Sequence, residues 1–262
     1  MFLIYNHHIH FNNNSIINNN SEVIKKEENV LDNKRDCNGN TYLSLKQKYI
    51  KDGYVIFRSC TITQVLLNGT YDFVSEIKTD RVCDGYLTND YVRDLALDAD
   101  TLVLIEYLHD RKAFPFQTLN FPVGTQQPIH SDLIHFDTLP IRGLMTASWV
   151  ALENVHPNSG PLVYYPGSHK NHIWDYDELG LRAHWGDLMH DGNAILQNEY
   201  STKLQEALTK VGLKPHFAVM NRGESFLWAA SLVHGGSKVK DKAYTRKLQV
   251  THLMVHNPIG LH

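Results

Sequence analysis

The stretch from Phe116 to Asp132, FQTLNFPVGTQQPIHSD, decides how the rest of the chain reads, and within it the last three residues, His130, Ser131 and Asp132, carry most of the information. In an extended segment side chains alternate faces. Residues two apart therefore point the same way, and the His130 imidazole and the Asp132 carboxylate converge on one point. Two histidines and one carboxylate on one face of a metal leave the opposite positions open, the arrangement of non-haem Fe(II) oxygenases. A second histidine must come from elsewhere. In a chain with 16 histidines a lone His-x-Asp pair is a pattern that chance supplies, so the surroundings must decide.

Length and composition narrow the field. At 262 residues the chain suits one catalytic domain with extensions and can bury a full core. Lys+Arg of 25 against Asp+Glu of 28 gives a net charge of -3 with no long basic run, which disfavours nucleic acid as a partner. Cys37, Cys60 and Cys83 are odd in number, widely spaced and in no Cys-x-x-Cys pair. That pattern argues against a disulfide framework and a zinc knuckle, and favours a reducing, cytoplasmic setting. The start, MFLIYNHHIH, lacks a basic n-region and a sustained apolar region, and no stretch reaches the length of a membrane span.

Residues 1–40 read as an Asn-rich extension, disordered or loosely attached, because FNNNSIINNN and the charged segment after it offer no periodic apolar face. Order is expected from near Thr41, and 41–262 as the catalytic domain. Leu43, Leu45 and Tyr49 or Ile50 line a short helix that Gly53 stops, and Tyr54 to Phe57 reads as a strand. A helix over Thr61 to Ile77 is expected to be interrupted at Asn68-Gly69. Two further helices follow, the second capped by Asp98 or Asp100. The texture then changes to strands over Phe114–Phe121, Leu144–Leu152, Leu162–Tyr165, Phe217–Met220, Glu224–Leu232 and Arg246–Val255. Gly, Pro and Asn turns between them suit a sandwich or jelly roll. A late helix is expected to start at a Thr202/Gln205 capping box and to end at Gly212. The long irregular stretch 171–200 reads equally as a lid insertion or as a covering loop whose aromatics pack.

Position singles out the missing ligand. Phe226, Trp228, Ala230, Leu232 and His234 share one parity, which puts His234 at the end of an inward-facing row, with Gly235-Gly236 leaving space beyond it. Arg246 leads another row, Arg246, Leu248, Val250, His252 and Met254. An arginine at the head of such a row is costly unless it meets an anion, and its fork suits a carboxylate. A 2-oxo dicarboxylic acid chelating the metal and reaching Arg246 satisfies both ends.

His130-Ser131-Asp132, then SWVALENVHPNSGPLVYYPGSHK from Ser148 to Lys170, then His234 and Arg246, together resemble the phytanoyl-CoA dioxygenase family of Fe(II)/2-oxoglutarate oxygenases, over about Gly53 to Val255. The resemblance implies a mainly β fold with flanking helices, a double-stranded β-helix (jelly roll, cupin-like). It implies iron on His130, Asp132 and His234, 2-oxoglutarate anchored on Arg246, and O2 as the second cosubstrate. It also implies that Trp149 lines the cosubstrate pocket, that Gln117 and Asn120 point inward from an earlier strand, and that Ser237 assists the arginine. Ser237 lies three residues after the histidine where two is common. Trp149 and Gln117 have simpler readings as core and as a partner of backbone groups. His169, in Pro166-Gly167-Ser168-His169, belongs to a structural corner, and His135 falls opposite Asp132 if the strand continues.

The expected activity is oxidative decarboxylation of 2-oxoglutarate to succinate and CO2, coupled to hydroxylation of a small or medium-sized metabolite. Retention of Asp132 favours hydroxylation, since related halogenases lack this carboxylate. Gln117, Gln126, Gln127, His135 and Tyr164 make a cavity of mixed polarity, with no cationic clamp for a CoA phosphate. Two alternatives stand beside this: another metal enzyme on a cupin-like barrel, an isomerase or a hydrolase, and an inactive binding protein.

Overall fold

The computed structural model describes residues 30–136, 144–170, 173, 175, 178–181 and 194–256. Two antiparallel sheets form the body. The larger runs β1 (Tyr54–Phe57), β7 (Ser225–Ala229), β4 (Met145–Ala151), β9 (Leu248–Val255), β3 (Ala113–Phe121) and β2 (Val82–Cys83), in that spatial order. The smaller runs β6 (His216–Phe217), β5 (Leu162–Tyr164) and β8 (His234–Gly236). Trp149, Phe226, Trp228, Leu248 and Val250 of the large sheet pack with Tyr164 and Leu162 of the small one in a single core cluster. This is the jelly roll expected from the sequence.

Helices cover the outside because β1, β4, β7 and β9 of the large sheet carry apolar residues on their second face as well. α1 (Tyr42–Asp52) and α4 (Ala99–His109) bury Leu45, Tyr49, Leu104 and Ile105 against Val55, Leu227 and Leu253. α2 (Gln64–Glu76) and α3 (Asp90–Ala96) close over Val150 and Leu152. Each starts on a side-chain cap worth about 1 kcal/mol. Thr41, Thr63, Asn89 and Asp98 accept from the backbone N–H of Ser44, Leu66, Val92 and Thr101. Between the two aspartates the choice falls on Asp98, and Asp100 instead pairs with Lys34 and accepts from the Cys60 N–H. β4 is buried along its whole length, which explains its Thr146 and Ser148 among apolar neighbours: they face the helices, and Thr146 Oγ1 meets Tyr49 and His109 at 2.9 and 2.7 Å.

Four expectations are corrected. α2 runs unbroken through Asn68-Gly69. A Cβ at Gly69 would lie 2.3 Å from Cγ of Tyr91, so the glycine serves the close approach of α3 and not a break. Order reaches back at least to Val30. Asp36 accepts from the N–H groups of Asn38, Asn40 and Arg58, and a Cys37–Cys60 disulfide with Cα atoms 5.3 Å apart ties this segment to the loop after β1. That bond runs against the reading of the cysteines as arguing against disulfides and removes the cysteine-based ground for a reducing compartment. A single pair 23 residues apart carries no spacing signal. The late helix, α6 (Ala194–Lys210), begins eight residues before Thr202, whose hydroxyl donates to the Asn198 carbonyl inside the helix. Most of the 171–193 stretch, and residues 1–29, lie outside the described residues. Among the described residues no helix is long and apolar enough to cross a membrane.

The row ending at His234 is not one strand. β7 ends at Ala229, the chain turns through the Leu232 N–H to Ala229 carbonyl bond, and β8 belongs to the other sheet. The site therefore lies where the chain switches sheets.

Candidate metal centre and cavity

His130 sits at the end of the loop that follows β3, and its position is set by the backbone. His130 N–H donates to the His234 carbonyl at 2.8 Å, and His234 N–H returns the bond at 2.9 Å, an isolated antiparallel bridge between the loop and β8. The bridge places the two rings 4.5 Å apart. It forms because Gly235 and Gly236 have no side chains. A Cβ at Gly236 would stand 2.7 Å from the Gln126 nitrogen, and one at Gly235 2.9 Å from the Gln127 oxygen. Ser131, fully buried between the two candidate ligands, turns its hydroxyl outward to donate to the Ala230 carbonyl at 2.8 Å.

Asp132 completes the group. One ligand atom from each of His130, Asp132 and His234 lies within 4.8 Å of the others, and all three residues are buried. Asp132 Oδ1 is 3.6 Å from Nε2 of each histidine, while Oδ2 accepts the Trp228 indole N–H at 2.9 Å. His130 Nδ1 lies 2.8 Å from the Pro128 carbonyl and His234 Nδ1 2.9 Å from the Leu232 carbonyl. A carbonyl only accepts, so each Nδ1 carries a proton, and Nε2, on the side of Asp132, is the atom left free to offer a lone pair to a metal. The Gln127 amide approaches His130 Nε2 at 3.4 Å in keeping with that tautomer. Burial would raise the Asp132 carboxyl, but His234 and His130 outweigh it and hold it well below the carboxylate range. Burial presses His234 down to about 4. A divalent metal requires an ionised carboxylate and neutral imidazoles, and the shifts of Asp132 and His234 run in that direction.

These groups line one side of a cavity of about 420 Å³ that continues to Arg246. Arg246 is 4% exposed, lies 5.4 Å from the ring of Trp149, and leaves Nε and Nη1 buried without a partner among the described residues. Burial lowers it to about 10. A fork of orphaned N–H groups beside an aromatic face is built for a carboxylate that arrives with a ligand. Leu248, Val250 and His252 follow Arg246 on one face of β9, as their alternation predicts, and all line the cavity.

Gln117 and Trp149 line the cavity too, but Asn120 does not. Residues 117 and 120 have opposite parity on β3, so they cannot share a face. Asn120 is buried on the helix side, where its amide donates to Gln249. Ser237 is also displaced from the expected role: its hydroxyl donates to the Pro161 carbonyl at 2.7 Å. Tyr164 packs in the core at a tilt against Tyr54 and edge-on to Phe226, and Gln126 accepts from the Val239 N–H away from the metal group. His169 lies in the turn Ser168–Lys170 with Nε2 3.2 Å from the Ile50 carbonyl, apart from the three converging groups.

His252 and Trp228 carry no role in the sequence reading, and His135 is set there among the cavity residues but on the side opposite Asp132. The strand does not continue past Asp132. A helical turn, α5 (Leu133–Phe136), brings His135 back to the cavity, its ring 5.8 Å from that of His130. His252 was visible only as the polar fourth member of an apolar row. It lines the cavity with Nδ1 2.8 Å from Gln117 Oε1, between Phe116 and Phe136. Trp228 looked like core. Cross-strand register aligns it with Ala147 and then His252, so a small residue separates two large ones beneath the candidate metal group.

A family model described as phytanoyl-CoA dioxygenase (PhyH) matches residues 69–247, more than half of the chain. Peroxisomal phytanoyl-CoA dioxygenases of Homo sapiens and Bos taurus are each 23% identical over 124 residues, which is 47% of this chain and 32% of theirs. The match thus spans about a third of the length of these relatives. Similar solved structures include the carbocyclase SnoK from nogalamycin biosynthesis, with 14% identity, TM-score 0.60, and coverage of 80% of this chain and 83% of that one. The epimerase SnoN from the same biosynthesis gives 16%, 0.57, and 82% of each chain. EctD from S. alaskensis, with 2-oxoglutarate and 5-hydroxyectoine, gives 14%, 0.58, and 82% and 78%. At these identities the likeness establishes the fold.

Proposed function

The chain belongs to the phytanoyl-CoA dioxygenase family, and from that premise we propose that it is an Fe(II)- and 2-oxoglutarate-dependent dioxygenase that hydroxylates a small or medium-sized metabolite. One observation carries the reading. A buried arginine with two N–H groups unpaired among the described residues stands at the far side of the same cavity that gathers two histidine Nε2 atoms and an ionised carboxylate. The hydrogen bonds that Trp228 and Gln127 give to the metal group do not account for its convergence on one point, and 2-oxoglutarate bound to iron would account for both ends.

In this reading His130, Asp132 and His234 would hold the iron, and Arg246 would take the distal carboxylate of 2-oxoglutarate along the face of Trp149. Bound Fe(II), with 2-oxoglutarate and O2, would supply the oxidising chemistry, with succinate and CO2 as the co-products. The chain's own task is to fix and to exclude. The backbone bridge and the two Nδ1 bonds hold the imidazoles in one tautomer and orientation. Leu119, Phe121, Leu248 and Val250 keep water from the space between the metal group and Arg246. Gln117, His252, His135 and Phe136 border the opposite side, where the metabolite would enter, and their mixed polarity supports a polar compound over a plain hydrocarbon. A hydroxylase is favoured by the carboxylate at position 132.

Anaerobic addition of Fe(II) and 2-oxoglutarate is expected to give a weak visible charge-transfer band. Admission of O2 with metabolite pools is expected to release succinate, and the product should be heavier by one oxygen. No band and no 2-oxoglutarate binding would return the protein to the isomerase or hydrolase readings, and a different mass change would replace hydroxylation.

A further inference from the structure

The indole of Trp228 is 3% exposed and donates to Oδ2 of Asp132 at 2.9 Å. Among the described residues this is the one hydrogen bond donated to Oδ2, and Oδ1 is left equidistant, at 3.6 Å, from the two histidine Nε2 atoms. The same ring meets His234 edge-on at 5.2 Å. We propose that Trp228 is a positioning residue for the metal carboxylate: its N–H engages one oxygen of Asp132, so that the other alone faces the ion, and its ring sets the tilt of His234.

Tryptophan suits this task for a chemical reason. Its Nε1–H donates and never accepts, so it stabilises the ionised carboxylate and cannot turn to compete for the metal. A bond from a buried donor to an ionised acceptor is charge-assisted and directional. Once Oδ2 is engaged, Asp132 offers a single oxygen, and the positions a second oxygen would occupy stay available to the cosubstrate. The scaffold keeps the indole in place from both sides. Trp228 pairs with Tyr54 on β1 and with Ala147 on β4, and Phe226 packs against it at 5.7 Å.

This inference rests on the iron reading of His130, Asp132 and His234, and the test separates the two. Fe(II) binding is measured anaerobically by calorimetry on the full chain, for wild type, Trp228→Phe and a packing control in the helix-side core, Leu104→Val. Trp228→Phe keeps an aromatic ring and removes the donor, and is expected to bind Fe(II) about 10- to 100-fold more weakly. Its Fe(II)/2-oxoglutarate band is expected to shift, while Leu104→Val stays within threefold of wild type. Equal Fe(II) affinity and an unshifted band in Trp228→Phe overturn the inference alone. A wild-type protein that takes up no Fe(II) overturns the iron reading and the inference with it. If Trp228→Phe does not fold, the Trp228 indole signal of ¹⁵N-labelled wild type decides: it should resist solvent exchange and move on Zn(II) addition, and an unprotected, unmoved signal overturns the proposal.

Discussion

Replacing Arg246 with methionine should make the protein more stable when empty and nearly unable to hold 2-oxoglutarate. The two effects have one cause. Burial lowers the guanidinium from 12.5 to about 10, and at 1.36 kcal/mol for each tenfold change the empty protein carries about 3 kcal/mol of unrelieved desolvation. Methionine keeps a flexible apolar stem against Trp149 and discards the charge, so the urea midpoint without ligands should rise by up to that amount. Removing one partner of a buried charge pair costs about 2–5 kcal/mol, so 2-oxoglutarate should bind about 30- to 4,000-fold more weakly. Urea unfolding of both proteins, with and without anaerobic Fe(II) and 2-oxoglutarate, reads both effects. Wild type should gain about 2.7 kcal/mol at a ligand concentration one hundred times its Kd, and Arg246→Met almost nothing at the same concentration. An Arg246→Met protein that is clearly less stable when empty, or that binds 2-oxoglutarate within threefold of wild type, would refute the reasoning.

Other expectations follow from the scaffold. Burial, reinforced by Arg111, holds His109 down to about 4 against an ordinary 6.5. The unfolded chain therefore takes up a proton that the folded one refuses, and stability that is full above about pH 6.5 should fall by up to about 3 kcal/mol as pH drops toward 4. His109→Gln should flatten that slope in urea titrations. Gly69→Ala should destabilise by about 1–3 kcal/mol despite the better helix former, because its methyl meets Tyr91, and Tyr91→Ala in the same chain should recover most of the loss. Asn120→Ala and Ser237→Ala should lower the melting temperature without changing 2-oxoglutarate affinity, since both side chains bond within the framework; a weakened affinity in either would put it back in the cavity.

The legible part of the site was the part that obeys period two. His130 and Asp132 share a side, and Arg246, Leu248, Val250 and His252 share a face, so alternation alone placed them. A helical turn after Asp132 leaves that period, so His135 reaches the cavity and does not stand opposite Asp132 as a continued strand would place it. Asn120 was set inward by resemblance against its own parity, and alternation on β3 sends it to the helices. His234 was found by extending a strand that in fact ends at Ala229, a sound result from a wrong path. Trp228 could not be found at all, because a buried tryptophan in a strand looks like core until its N–H is seen to have a charged partner. Gly69 misled for a similar reason: a glycine read as a flexible break was a site of close contact with a ring far along the chain.

The carboxylate at position 132 is held by a side chain of the large sheet, while the loop that carries it is bridged to the small one. A one-residue slip of β7 against β1 and β4 would turn Trp228 to the helix side and release Oδ2. Metal capture would thus report on assembly: only a chain whose two sheets have both found their register presents a finished site. A misregistered fold would reveal itself first as a protein unable to keep its metal.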